Sequence, residues 1–161
     1  MEGGKYFRSF TIHHPRSTSN SAVIIRTFEF ARDFDAVTAL WQASGPGVRL
    51  GLSDTPEEIT RKLKRDPDLF LVAEDGAQIV GAVLGGFDGR RGMVYHLAVA
   101  PAHGGRGLGS ALMAELESRL RAKGCRKYYL LVTHNNTEVT DFYQRLGWSV
   151  MPVQIMGKEI R

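Results

Sequence analysis

A single cysteine, Cys125, stands in the 161 residues. That excludes an intramolecular disulfide and any zinc site built on paired thiolates, and makes a reducing, cytoplasmic setting the expectation. No run reaches the roughly 18 consecutive apolar residues of a membrane helix, so no span is expected. Lysine is missing between Lys64 and Lys123, and acids are missing between Asp88 and Glu115. The first gap removes a Walker phosphate loop, whose end needs Lys beside Ser or Thr. The second leaves the middle of the chain without a carboxylate to serve as a general base. An excess of one charge is lacking too, with 21 Lys and Arg against 17 Asp and Glu. Lys5, Arg8 and Arg16 against Glu2 put half of the net +4 in residues 1–20, and 18 basic against 16 acidic groups remain elsewhere. A nucleic-acid surface needs clustered cations, so nucleic acid is not the expected partner. A small anionic ligand fits this balance.

What is present is an ordinary globular mixture, 43% apolar and 24% charged, enough for one core at this length. Residues 1–20, rich in Ser, Thr, Arg and His and without periodicity, read as a disordered tail, and 21–161 read as one domain. The β-branched run 22–27 predicts a strand. Phe34, Val37, Leu40 and Trp41 share a helical face that stops before Gly45-Pro46-Gly47. Thr55-Pro56-Glu57-Glu58 has the pattern of a capped helix start, with proline at the first helical position. The apolar runs 69–74 and 79–84 flank Asp75-Gly76 as a hairpin would. A strand at 93–99 follows a turn in which Asp88, Arg90 and Arg91 are solvated. Leu108, Leu112, Leu116 and Leu120 then recur every four residues, a long amphipathic helix closed by Gly124. A strand at 126–132 precedes a last helical face of Val139, Phe142, Tyr143 and Leu146, and one or two short strands are expected within 148–160. Meandering strands followed by a β-α-β unit imply a mixed sheet covered by helices.

The turn before the long helix carries the most information. Four glycines crowd Gly104-Gly105-Arg106-Gly107-Leu108-Gly109. Glycines let the backbone turn sharply and come close to a ligand. Their N–H groups, with those of the helix start, converge on an anion, and a pyrophosphate suits such a cradle. A dinucleotide fingerprint is disfavoured, because it belongs at the first strand–helix turn with an acid about 20 residues on.

These residues resemble the GCN5-related N-acetyltransferase (GNAT) superfamily. The first motif is Leu97-Ala98-Val99-Ala100-Pro101 followed by the glycine-rich turn, where Gly107 and Gly109 match the family pattern. Gly104 stands where the family usually has Arg or Gln, which takes away one side-chain contact. The second is Asn136 with Tyr143, Leu146, Gly147 and Trp148. The resemblance covers about 23–151 and points to a bacterial subgroup of poorly defined substrate. It implies an α/β fold of mixed α+β type, with a mostly antiparallel sheet of six or seven strands and about four helices on its two faces. The sheet is splayed between the strands at 93–99 and 126–132. It also implies acetyl-CoA as cosubstrate, no metal, and direct transfer of the acetyl group to a primary amine of a small molecule or protein. A homodimer is compatible with it.

On that resemblance, the backbone of Gly104, Gly105, Arg106 and Gly107, continuing through Leu108, Gly109 and Ser110, holds the pyrophosphate. Leu97, Ala98 and Val99 pair with the peptide-like pantetheine arm as an added strand would, and an N–H near Val99 polarises the thioester carbonyl. Asn136 hydrogen-bonds the arm, and Tyr143 serves the leaving thiolate. The base is left open. Tyr95 and His96 are the polar residues of the strand, and simple alternation puts Tyr95 on the face of Met93, Leu97 and Val99 with His96 opposite. His134, near the end of the next strand, is a weaker candidate, and His103 reads as a solvent-facing turn residue. Arg49 could bind a carboxylate on the acceptor. Cys125 reads as a packed residue, since no partner base is suggested. The rival reading is a non-catalytic acyl-CoA-binding module, motivated by Gly104 and the missing carboxylate. A basic RNA-associated protein, suggested by the tail, is a third.

Overall fold

A computed structural model describes residues 10–12, 22–134 and 136–160, which group into two compact units, Met1–Leu131 and Val132–Arg161. The first unit holds a six-stranded sheet in the order β1-β2-β3-β4-β5-β6. Its strands are β1 (Phe10–Ile12), β2 (Val23–Thr27), β3 (Phe70–Asp75), β4 (Gln78–Phe87), β5 (Gly92–Val99) and β6 (Tyr128–Leu130). Neighbours are antiparallel except β5 and β6, which run parallel. The helices are α1 (Phe30–Ala43), α2 (Pro56–Arg65) and α3 (Leu108–Ala122), and the second unit contains α4 (Thr137–Arg145).

Two features depart from the sequence reading. Three residues inside the expected tail, Phe10–Ile12, pair with β2 as an edge strand. The rest of that tail lies outside the described residues. No strand forms in 148–160, where Val150, Val153, Ile155 and Met156 are exposed. Alternating apolar residues need a neighbouring edge to become a strand, and among the described residues none pairs with them.

Each face of the sheet is covered by the helices whose apolar stripes the sequence showed. On one face Val37, Leu40 and Trp41 of α1 and Ile59 of α2 pack with Phe28, Phe70, Val72, Ala82, Leu84 and Ala98. Phe28 stacks on Phe70 at 4.0 Å and Trp41 stacks on its ring at 5.6 Å. Thr55 caps α2 by accepting the Glu58 N–H at 3.4 Å, as its pattern predicts. On the other face Leu112, Leu116 and Leu120 of α3 are buried against the strands. A Cβ on Gly85 would stand 2.6 Å from Leu116 Cδ1, so only glycine lets α3 sit this close to β4.

The start of α1 is fixed by an ion cluster. Asp33, almost fully buried, takes two hydrogen bonds from the Arg26 guanidinium, at 2.6 and 2.7 Å, and one from the Glu29 N–H at 2.8 Å. Arg26 also donates to Glu74 on β3 at 2.7 Å. Burial alone would raise the Asp33 pKa, but these bonds and the charges of Arg26 and Arg32 hold it below the usual carboxylate value. Removing one member of a buried pair strands the other. Asp33→Ala is therefore expected to cost about 3 kcal/mol, a drop in Tm of roughly 10 °C. Because the folded pKa is depressed, this contribution is fully present above the unfolded value of about 3.9. It is lost as the pH falls through the folded value. Thermal melts from pH 7 to pH 3 check this, with the gap between wild type and variant narrowing toward the acid end.

Candidate active site

The β5–β6 pairing is short. It joins Gly92 to Tyr128, Met93 to Tyr129 and Val94 to Leu130, and goes no further. β6 is accordingly shorter than the 126–132 strand expected from sequence. From His96 to Val99, β5 is paired on its β4 side, and among the described residues no strand pairs with its other edge after Val94. Just past the end of β5, Ala100 N–H donates to Val80 O at 2.8 Å. Strand groups alternate in direction, so the N–H groups of Leu97 and Val99 face away from β4, toward the open side, and that of Ala98 faces β4.

The chain then turns through Pro101–His103 into α3. Gly105 and Gly107 adopt φ of +71° and +77°, the left-handed region that glycine takes without strain. Gly107 is the N-cap of α3 and has no side-chain cap. Gly104 N–H donates to Pro101 O and Ala111 N–H to Gly107 O. Among the described backbone hydrogen bonds, none uses the N–H of Gly105, Arg106, Gly107, Leu108, Gly109 or Ser110. A run of unused donors at a helix N-terminus is the arrangement that binds a phosphate. Gly104, with its N–H already engaged, stands apart from that run. His103 is not the solvent-facing residue expected from sequence. It is mostly buried, with Nε2 3.1 Å from Asp75 Oδ2, which ties this turn to the β3–β4 hairpin.

A bulge corrects the strand alternation. Leu84 pairs with His96 and Gly85 with Val94, leaving Tyr95 as the extra residue. A bulge turns two consecutive side chains to one face. A Cβ on Gly86 would lie 3.1 Å from Tyr95 Oη and 3.3 Å from Lys62 Nζ, so Tyr95 sits on the α2 side. His96 lies against Trp41 of α1 at 4.9 Å between centroids. Tyr95 and His96 therefore share the face covered by α1 and α2, while Val99 turns to the α3 face beside Gly81. Tyr95 is 54% exposed, and burial of its inner part, helped by the negative charge of Asp66, raises its hydroxyl pKa. Beside it Lys62 is ion-paired with Asp66, and burial lowers its ammonium pKa despite that partner.

His96 has a partner that the sequence did not reveal. Its Nε2 is 2.8 Å from Asp54 Oδ1, and both side chains are largely buried. Asp54 ends the short turn Leu52–Asp54, in the loop between α1 and α2 that also carries the exposed Arg49. Asp88 behaves as a turn residue. Its Oδ1 accepts the N–H groups of Arg90 and Arg91, both at 2.6 Å, which lowers its pKa. Cys125 donates its thiol proton to Lys127 O at 3.3 Å.

In the second unit, Asn136 is the N-cap of α4, its side-chain oxygen accepting the Val139 N–H at 3.4 Å. That bond leaves the amide N–H groups of Asn136 uncommitted. Tyr143 is buried, with edge-on ring contacts to Phe142 and Trp148 at 5.0 and 5.7 Å. Burial pushes its hydroxyl pKa up to about 12. His134 lies in an exposed turn of this unit and belongs to no strand.

Comparison with known proteins agrees with this geometry. Residues 34–148 match the sequence model of the acetyltransferase (GNAT) family. A Pectobacterium atrosepticum protein named as an acetyltransferase is 42% identical over 128 residues, covering 80% of this chain and 89% of its own. Among solved structures, Ard1 from Thermoplasma volcanium is similar with a TM-score of 0.69 and 25% identity, over 79% of this chain and 82% of that one. The PaiA N-acetyltransferase from Thermoplasma acidophilum, solved in complex with coenzyme A, has a TM-score of 0.69 at 18% identity. That match covers 82% of this chain and 92% of that one.

Proposed function

The chain belongs to the acetyltransferase (GNAT) family, and we propose that it is an acetyl-CoA-dependent N-acetyltransferase that works at the glycine-rich turn and the open reach of β5. The observation that carries this reading is the run of N–H groups from Gly105 to Ser110 unused among the described backbone hydrogen bonds, following a strand whose β6-side edge has no partner after Val94. The turn suits a pyrophosphate and the strand edge suits a peptide-like arm. Arg106, next to the two left-handed glycines, adds a permanent cation. The family match crosses the boundary between the two units, which supports reading 21–161 as one functional domain.

The cosubstrate supplies an activated acetyl group. The acceptor amine attacks its carbonyl carbon, the C–N bond forms, and the C–S bond breaks with the electron pair leaving on sulfur. The N–H of Val99 or Leu97, facing the open side, is the proposed donor to the carbonyl oxygen as negative charge builds there. An amine arrives largely as ammonium, near pKa 10.4 for a lysine-type group, so a base must take its proton. His96 is the proposed base, with Tyr95 lining the acceptor's path. Tyr143 is the proposed hydrogen-bond donor to the leaving sulfur and Asn136 a partner of the pantetheine arm. Both assignments rest on the motif and on properties of the second unit alone. Arg49 is the proposed contact for a carboxylate on the acceptor, and a cytoplasmic setting suits the single thiol. The missing carboxylate that motivated a non-catalytic reading is met by His96.

The test is incubation with acetyl-CoA and a panel of primary amines comprising amino acids, polyamines and short peptides with a free α-amine. One CoA thiol released per acetylated amine, read by thiol titration and mass spectrometry, is the expected result. Thiol release from none of them, with acetyl-CoA bound, would support the non-catalytic module instead.

A further inference from the structure

We propose that Asp54 is a positioning residue for the transfer. It fixes His96 in the tautomer that leaves Nδ1 free to take the acceptor's proton. This inference rests on the acetyltransferase reading above. An ionised carboxylate can only accept hydrogen bonds. The 2.8 Å contact therefore puts the proton on His96 Nε2, which donates to Asp54 Oδ1. The lone pair is left on Nδ1. Asp54 is itself held, because its other oxygen accepts the Gly51 N–H at 2.8 Å. The Trp41 ring lies against the imidazole at 4.9 Å between centroids, tilted 60° to it.

The placement suits a base. The Tyr95 bulge turns His96 to the α1 and α2 face where β5 leaves β6, one residue before Leu97 and three before Val99. No acid lies between Asp88 and Glu115 to take the role. Imidazole is the side chain suited to exchange protons near neutral pH. The titratable groups around it are Asp54 from the Leu52–Asp54 turn, Tyr95 beside it on β5, and Lys62 and Asp66 of α2, which lie next to Tyr95. α1 presents the indole of Trp41. The loop that holds the base also carries Arg49.

The test has two arms. Imidazole 15N spectra of the full chain, with the His96 signals identified by their absence in His96→Gln, are expected to show the Nε2–H tautomer. Asp54→Asn is expected to give both tautomers, because an amide can face the ring with either a donor or an acceptor. Mixed tautomers in the wild type, or an unchanged spectrum in Asp54→Asn, would overturn the assignment. In the second arm, acetyl transfer to the amines of the panel is followed from pH 6 to pH 10. Asp54→Asn is expected to lose about 10-fold in kcat at neutral pH, part of the range for general-base catalysis. Loss of the anionic partner disfavours the imidazolium, so its rate should level at a lower pH than that of the wild type, while its acetyl-CoA Kd stays within about 2-fold. Wild-type kcat and pH profile in Asp54→Asn would overturn the inference and leave the transferase reading standing. Failure of the wild type to bind acetyl-CoA would overturn both.

Discussion

Replacing Gly107 by valine is expected to raise the dissociation constant for acetyl-CoA about 100-fold. Gly107 holds φ +77° at the N-cap of α3, a conformation that costs an L residue roughly 1–2 kcal/mol and that a β-branched side chain disfavours more strongly. The turn relaxes, and the N–H groups from Gly105 to Ser110 stop converging. Each hydrogen bond to a charged group contributes about 1.5–3 kcal/mol, so loss of one or two gives the stated factor. The fold survives, because nothing lies within 4 Å of the added Cβ and α3 keeps its buried leucines. The strain lowers Tm by only a few degrees. Calorimetric titration with a melt on the same sample separates the two effects. Unchanged affinity in a folded variant would remove this turn from the cosubstrate site.

Tyr143→Phe is expected to lower kcat by about 10- to 100-fold and to leave the acetyl-CoA Kd within about 2-fold. A phenol pushed up to about 12 by burial is a far weaker acid than a thiol, whose ordinary value is about 8.5. In its proposed role Tyr143 would therefore donate a hydrogen bond to the departing sulfur and keep its proton, and the thiolate would be protonated afterwards from solvent. The loss expected is that of one hydrogen bond to a charged atom, smaller than the upper range for full proton transfer. With the hydroxyl pushed up to about 12, the wild-type rate is expected to have no alkaline limb from this group in the ordinary assay range. Steady-state kinetics over pH with an accepted amine check both points, and full activity of the phenylalanine variant would take Tyr143 out of the mechanism.

Much of this site was legible because its signals are local. The crowding of glycines before four leucines at helical spacing announced the tight turn and α3. Asp75-Gly76 announced the β3–β4 hairpin, and Thr55-Pro56 the start of α2. The parts missed depend on contacts distant in sequence. The bulge at Tyr95 is a register shift between β4 and β5, and alternation counted along one strand cannot see it. For that reason alternation sets Tyr95 on the face of Leu97 and Val99, whereas it shares the face of His96. Asp54 meets His96 across 42 residues and His103 meets Asp75 across 28. The only local signal at Asp54 is a short polar turn before α2. Gly85-Gly86 did carry a hint, since two adjacent glycines opposite a strand mark close approach. One admits Leu116 and the other lies beneath Tyr95. The edge strand Phe10–Ile12 escaped because three residues carry no readable period.

Calorimetric titration of the wild-type chain with acetyl-CoA, and separately with CoA, tests the central claim most directly. Both ligands share the pyrophosphate and the pantetheine arm that Gly105–Ser110 and β5 are proposed to hold. The account predicts saturable one-site binding of each in the micromolar range, lost together in Gly107→Val. A folded protein that takes up neither ligand at millimolar concentration would contradict it.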